Sequence, residues 1–439
     1  MSRLLHTSLN AGGAPPPEVV GGEGVYFILA DGRRVLDGSN TAGALGHGHP
    51  VMSEIMRRAA TAPVVSEGWR WRERDAAAER LMETAFADEQ DWVGAVRFCL
   101  SGSEANDMAL SLAQSLTGRG LLTTRERAYH GLVGLSRAMT VQPHWHGGLS
   151  VPGDRERRPS PVAPVHVLPA DAWCHYGVDG RPIAPLEDWD SRLACEAEAL
   201  KRSAAVIVDY TQGGVYYAAP YQDAVARGAR AGGALWIADE VVTGIGRAGR
   251  WFGFQGGGER PDIVTLGKAL GGGSVPVAAV VVSRRVMEAL RGTSWQNYGT
   301  LRGHPMTVAA VGGYLDVVVR EGVLERVRAL ESFYRETLVQ IAARHRSVTR
   351  VAGQGLHWTI ELAGPSWRTW QADEPGVPLA SRVASRALEL GAVIGTSGEQ
   401  TSLFLAPSLI IDEAQSLRLL EILDASLDLA DASLAKETA

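Results

Sequence analysis

Cysteine is scarce. The 439 residues hold three, Cys99, Cys174 and Cys195, odd in number and without metal-type spacing, so neither a disulfide framework nor a zinc site follows; small buried hydrophobes are expected instead. No run approaches the ~18 apolar residues a membrane helix needs. The opening MSRLLHTSLNAGG also lacks the apolar stretch of a signal peptide, so a soluble, cytoplasmic protein with no membrane partner is expected. Positive charge is not in excess: Lys+Arg 43 against Asp+Glu 49 leaves a net charge of -6, the wrong sign for a nucleic-acid binder. No repeat, heptad or low-complexity tract is visible, which removes solenoids and coiled coils. With 45% hydrophobic residues disorder is excluded, and a chain this long needs no covalent staple to bury a core.

What the chain has in abundance is glycine, 51 residues or about 12% against a usual ~7%, and tryptophan, whose 12 copies outnumber both Tyr at 10 and Phe at 7. Residues 9–24, rich in Gly and Pro, read as an ordered loop or arm. In VYFILADGRRVLDG the pair Asp31-Gly32 between two β-rich runs signals a hairpin. From Val93 to Val282 short apolar runs alternate with helical stretches. The runs are VGAVRFC (93–99), AAVIVDY (204–210), ALWIADEV (234–241), DIVTLG (262–267) and VAAVVV (277–282), with helices expected from about Ser103 to Leu116 and near 221–232. Unbroken hydrophobicity marks strands buried on both faces. That means an α/β fold with a mainly parallel sheet, its ligands beyond the carboxyl ends of the strands. The stretch 139–185 has no clear period and is long enough to suggest a functional loop. From Thr307 helical periodicity returns, and the α+β tail reads as a second, smaller domain.

Three strand ends carry chemistry. Ser101-Gly102-Ser103-Glu104 runs from the first strand into a helix. Ser101 with Glu104 fits a capping box, while Gly102 and Ser103 offer backbone N–H groups and a hydroxyl to a phosphate; alone, the motif is better explained as a capped helix. Asp239-Glu240 ends the 234–241 strand, where a carboxylate either faces solvent or pairs with a protonated ring nitrogen of a cofactor. Lys268, in TLGKALGGG, follows 29 residues after Asp239, between an apolar strand and three glycines. Burial there lowers a lysine's pKa and makes it a Schiff-base nucleophile. Taken together, the three strand ends outweigh the surface-lysine alternative.

Two decoys are set aside. Gly244-Ile245-Gly246-Arg247-Ala248-Gly249 fits G-x-G-x-x-G, but the following RWFGFQGGGERP cannot be the helix a dinucleotide site opens. His47/His49 and His144/His146 read as loop histidines, with no metal expected.

In this order the motifs resemble the class III pyridoxal-phosphate aminotransferases, which include the glutamate-semialdehyde aminomutases. GVYFILADGRRVLDG, LGHGHP, SGSEANDMAL, AYHG, ADEVVTGIGRAGR, LGKALGGG, GTLRGHPMTVAA and LAPSLII cover nearly the whole chain. The resemblance implies fold type I: a large domain over 56–306 with a seven-stranded, mostly parallel sheet, and a small domain from residues 1–55 and 307–439. It also implies a homodimer with active sites at the interface. Pyridoxal 5'-phosphate is the implied cofactor. Gly102 and Ser103 would hold its phosphate, with Thr300 reaching it across the dimer interface. Tyr129 and Val241 would cover the two ring faces, Asp239 would pair with the ring nitrogen, and Lys268 would form the Schiff base and shuttle the proton.

The departures from the family pattern concern substrate. Val242 stands where a polar residue is usual, Asp209-Tyr210 replaces Glu-Pro, Gly303-His304-Pro305 replaces Gly-Asn-Pro, and Phe404 occupies the place of an Arg that clamps a substrate carboxylate. Arg70, Arg72 and Arg302 are candidate replacements for that clamp. Trp69 and Trp71, in SEGWRWRE, are expected with Phe404 in the substrate pocket, or else at the dimer interface. The expected reaction is ping-pong transamination between a small amine or amino acid, aromatic or otherwise bulky and from a specialised pathway, and a carbonyl acceptor. The alternative keeps the cofactor in an aminomutase, a racemase or epimerase, or a carbon–carbon bond-forming enzyme. A nicotinamide dehydrogenase or a non-catalytic binding protein would need Lys268 to be unrelated to chemistry.

Overall fold

The computed structural model describes residues 17–142, 145, 147–148, 159–169, 175–176, 182–183, 188–212, 215–216, 219–363, 377–398 and 400–437. The chain starts with an antiparallel meander of β1 (Val19–Glu23), β2 (Tyr26–Leu29) and β3 (Arg34–Asp37). The expected turn joins β2 to β3. Gly32 takes φ +86, a left-handed value open to glycine, and the Asp31 carboxylate accepts hydrogen bonds from the Arg33 backbone N and Nε. Two helices follow, α1 (Pro50–Ala59) and α2 (Arg72–Thr84).

Seven strands form the central sheet, in the order β4 (Val93–Cys99), β14 (Ala278–Ser283), β13 (Ile263–Leu266), β12 (Leu235–Asp239), β9 (Ser203–Asp209), β5 (Leu121–Arg125) and β6 (Val165–Leu168). From β13 to β6 every pairing is parallel, and β14 is antiparallel to both neighbours. β9, β12, β13 and β14 are buried along their whole length. Alternate residues feed opposite faces: Val206, Val208, Trp236 and Ala238 join one core cluster, Ala205, Ile207, Leu235 and Ile237 the other. β5 and β6 carry little sequence signal, because LLTTR is half polar and VHVL is only four residues long. α3 (Gly102–Thr117) leaves the end of β4 and packs across the sheet, against β14, β9 and β13.

A second, antiparallel sheet runs β18 (Gly395–Thr396), β19 (Ser402–Leu405), β16 (His357–Leu362), β15 (Val348–Gln354), β7 (His175–Tyr176) and β8 (Pro182–Ile183). Its last two strands come from the aperiodic 139–185 stretch, which therefore crosses from the central sheet to the C-terminal one. A separate pair, β10 (Thr211–Gln212) with β11 (Val215–Tyr216), follows β9. β17 (Ala392–Val393) lies parallel to β3 and completes the N-terminal sheet.

Cys99 is buried as expected. Cys195 is exposed, contrary to expectation, because it caps the C-terminal end of the short helix Trp189–Ala194 rather than sitting in a core. Cys174, His144 and His146 lie outside the described residues. Among the described residues no helix is long and apolar enough to cross a membrane, and no His/Cys/Asp/Glu group could hold a metal ion.

Candidate active site

The parallel strands end together, and the site is built there. Asp239 closes β12 and is buried. Its Oδ2 accepts from Asn106 Nδ2 at 2.7 Å and lies 2.7 Å from His130 Nδ1, while its Oδ1 accepts from the Val241 backbone at 3.0 Å. The two partners are themselves fixed. Asn106 Oδ1 accepts from the Thr265 hydroxyl at 2.6 Å, and Asn106 Nδ2 also donates to the His130 carbonyl at 2.8 Å. His130 Nε2 lies 3.0 Å from Thr124 Oγ1. The carboxylate is therefore held from three directions, in a network whose members support one another. Asn106 and His130 lie inside the SGSEAN and AYHG motifs but were not singled out from sequence. Asn106 could have been, as a polar residue on the otherwise apolar buried face of α3.

Lys268 follows β13 and opens a single tight turn with φ +40, a strained value for a residue with a side chain. Loss of solvent lowers its amine from the ordinary 10.5 to about 8; the Asp239 charge opposes this, Arg247 adds to it and Asp209 opposes it. About a tenth of such an amine is neutral at pH 7.

At the start of α3, Ser101 Oγ accepts from the Glu104 backbone at 3.2 Å, and Glu104 Oε2 accepts from the Leu100 backbone at 2.8 Å. Only half of the expected capping box forms: Ser101 caps the helix, while Glu104 takes the amide of Leu100 rather than that of Ser101. The Gly102 and Ser103 amides stand at the positive end of a sixteen-residue helix. Space requires the glycine: a Cβ on Gly102 would lie 2.6 Å from Val241 Cγ1. A Cβ on Gly267, just before Lys268, would come within 3.2 Å of the same methyl and 3.6 Å of Gly102 Cα. Helix start, valine and lysine turn therefore meet. Gly131, at φ +122, would carry a Cβ into Ser103 Oγ, which accepts a long bond from Leu132 N at 3.4 Å. Tyr129, next along, is half-buried; loss of solvent, then the Asp239 charge, raise its phenol above the ordinary value. The Trp145 ring meets it edge-on at 5.5 Å.

Gly102, Ser103, Tyr129, Asp239, Val241 and Lys268 are thus gathered at one end of the sheet. Phe404 is in register with Thr359 and stacks on His357, ring centroids 5.9 Å apart at 5°. Loss of solvent and the charges of Arg247 and Lys268 push the His357 imidazole down to about 3, leaving it neutral on the lysine's flank. Trp69 and Thr300 are not part of this gathering within one chain. Trp69 is 74% exposed, Thr300 is exposed, and the Thr300 loop is pinned from beneath by Gly299 N on Glu67 Oε2 (2.9 Å) and Arg302 Nε on Glu104 Oε1 (2.8 Å). Arg302, occupied by Glu104 and Asn297, is no spare carboxylate clamp. Arg70 and Arg72 are exposed. Trp71 is half-buried, with the Arg74 guanidinium 5.9 Å over its ring.

Three further residues carry weight at this end of the molecule. Glu240 Oε2 accepts from the Thr243 hydroxyl (2.6 Å) and Gly253 N (2.9 Å), and its Oε1 from Phe254 N (2.7 Å), so it ties two loops together; loss of solvent raises it to about 7. Arg247, inside the discarded G-x-G-x-x-G, is fully buried and donates to the carbonyls of Leu356 (3.1 Å), Pro407 and Asn40 (3.4 Å). The loop is a run of turns, not a helix start, which removes the dinucleotide reading on geometry as well. Asp209 is buried at the end of β9 against Arg125 Nε, 2.9 Å from its Oδ1.

The family model for aminotransferase class-III matches residues 11–427. The acetylornithine aminotransferase of Mycobacterium tuberculosis is 32% identical over 426 residues, covering 96% of this chain and 94% of that protein. Among solved structures, an S-selective transaminase from Arthrobacter sp. with alanine bound superposes at a TM-score of 0.89, with 27% identity, 98% of this chain and 96% of the other covered. A phospholyase from Arthrobacter in complex with phosphoethanolamine superposes at 0.78, with 25% identity over 94% and 95% of the two chains. The chain belongs to the class III aminotransferases, fold type I enzymes that work with pyridoxal 5'-phosphate.

Proposed function

We propose that Lys268 is the lysine that binds the cofactor and moves the proton, in a transamination between a small amine or amino acid and a carbonyl acceptor. The carrying observation is its placement: a half-buried amine held near 8, beside Asp239 and one residue after the Gly102–Val241–Gly267 contact. The residues fit the group. The missing Cβ atoms at Gly102 and Gly267 let the helix start, Val241 and the lysine turn close together, and the amides at the start of the sixteen-residue helix suit an anion. Pyridoxal phosphate, when bound, supplies a sink for the electrons released as the substrate's C–H bond breaks. In this reading Gly102 and Ser103 hold the phosphate, Tyr129 and Val241 flank the ring, and Asp239 faces the ring nitrogen. Lys268 takes the proton from the substrate carbon and returns it elsewhere.

The site is completed by a second copy of the chain, with Thr300 reaching the partner's phosphate. Support comes from the exposed apolar residues on the face that carries it, Val64, Trp69, Tyr298 (61% exposed) and Leu301, tied by Ser66 Oγ to the Tyr298 hydroxyl at 3.1 Å. The division into a domain of 56–306 and one of 1–55 with 307–439 is supported by β17 pairing with β3. The protein works in the cytoplasm. Its donor carries an aromatic or bulky apolar group and belongs to a specialised pathway, because Phe404 stacked on neutral His357 offers a carboxylate no cation; Trp71 and Trp69 would extend that wall, the latter from across the interface.

The test is spectroscopic. Protein loaded with pyridoxal phosphate shows visible absorbance that an amine donor bleaches in stoichiometric amount, and Lys268→Ala removes turnover by on the order of 10³-fold. Retained turnover in that variant would end the proposal. The second reading, an aminomutase, racemase or epimerase, or carbon–carbon bond-forming enzyme, rests on the departures at Phe404, Val242 and Asp209. The phospholyase neighbour supports it by showing the scaffold named for chemistry other than transamination. Turnover without bleaching favours it.

A further inference from the structure

Arg125 and Asp209 form an ion pair to which transamination as described assigns no task. Arg125 closes β5 and Asp209 closes β9, both buried. Arg125 Nε lies 2.9 Å from Asp209 Oδ1 and donates to the Asp209 carbonyl at 3.0 Å, while Nη1 donates to the Glu126 carbonyl at 3.1 Å. Such a pair is a poor source of stability, since apolar residues of similar volume often do as well. Its place in the sheet suggests another reason. Asp209 is the register partner of Asp239, and Asp239 that of Thr265; Lys268 follows three residues later. A row of residues therefore runs across four strand ends from Arg125 through Asp209 and Asp239 towards the lysine, with the negative end of the pair on the lysine's side. Asp239 is committed to Asn106 and His130. Asp209 makes no such commitment to the ring-facing network.

We propose that Arg125 and Asp209 are positioning residues: Arg125 holds the Asp209 carboxylate in place at the strand end, and Asp209 serves as a second counter-charge for the Lys268 amine. This rests on Lys268 being the reactive lysine. Two influences drive that amine towards its neutral form, loss of solvent and the buried Arg247. A group that must both accept and return a proton needs to be neither permanently neutral nor permanently charged, and Asp239 alone has to serve the ring nitrogen as well. Asp209 restores the balance without touching the ring.

The test reads the lysine itself. Full-length protein is stripped of cofactor, and the rate at which acetic anhydride acylates Lys268 is followed against pH by peptide mass spectrometry. Asp209→Asn raises the neutral fraction of the amine at pH 7 by up to about fivefold, the effect of losing one nearby opposite charge. Because that variant takes away the carboxylate charge facing the buried Arg125, it is compared with Arg125→Gln/Asp209→Asn, which removes both charges. The double variant keeps the faster acylation while its melting temperature recovers relative to Asp209→Asn. An acylation profile for the double variant that overlays the parent's, whatever happens to its melting temperature, overturns the proposal and leaves the pair structural. Because acylation does not require turnover, a parent protein inactive with every amine donor would sink the transaminase reading without altering this outcome.

Discussion

At the scale of single residues the molecule spends stability on reactivity. The Lys268 amine titrates at its ordinary 10.5 in the unfolded chain and near 8 in the fold, so between those values the unfolded chain binds more protons. Stability of the cofactor-free protein therefore rises as pH climbs from about 8 to 10.5, and the full penalty, at most about 3 kcal/mol, applies below that window. Lys268→Met removes it. Denaturant melts should show the variant more stable than the parent at neutral pH and the gap closing at strongly alkaline pH; a gap independent of pH would contradict this. The neighbours of Asp239 make the opposite kind of contribution. Asn106→Ala or His130→Ala frees the carboxylate to turn, and by analogy with other outer partners of functional groups this costs roughly 10–100-fold in cofactor affinity or turnover. Equilibrium dialysis and steady-state kinetics would measure it, and unchanged values in both variants would contradict it. Lys268 and Asp239 were legible in sequence because a charged residue at the end of an apolar run is conspicuous. Asn106 left a signal only as a polar residue on an apolar helix face, and His130 and Arg247 left none, since each becomes meaningful through a partner more than a hundred residues away.

At the scale of elements, the legible ones were those whose burial leaves a pattern. β9, β12, β13 and β14 read as unbroken apolar runs and are buried throughout. β5 was hidden because Thr123, Thr124 and Arg125 are buried polar residues with tasks: Thr123 bonds Ser203 across the sheet at 2.6 Å, Thr124 holds His130, and Arg125 holds Asp209. The connections matter as much as the strands. Gly131 sits at φ +122 with its missing Cβ directed at Ser103 Oγ, so Gly131→Ala both strains the backbone and pushes the hydroxyl off the helix start. The expected cost is about 1–3 kcal/mol of stability, read by thermal melts, together with weaker binding of inorganic phosphate by calorimetry. Normal phosphate binding would show that Ser103 serves only as part of the α3 start.

At the scale of the whole molecule, one face carries exposed aromatic and apolar side chains. Trp69, Tyr298 and Leu301 are exposed on loops that internal bonds hold rigid, with Arg97 paired to Glu67 at 2.7 Å and stacked on Trp295 at 4.9 Å. Rigid exposed aromatics are costly to leave in water and belong to contacts. Trp69→Glu/Tyr298→Glu should convert the proposed dimer to a monomer in sedimentation velocity and take the activity with it; an unchanged sedimentation coefficient would contradict the proposed use of this face. The pairing of β3 with β17 has a consequence of a different kind, in time rather than space. Leu36 finds its partner Ala392 only after some 350 further residues have been made, roughly 20–70 s at ordinary synthesis rates. For that interval the open edge of β3 is an unsatisfied template exposed to any other strand in the cell. Slow, strongly non-local closure of this sort lengthens folding, so the yield of native protein should depend on translation speed and on chaperones more than its final stability would suggest.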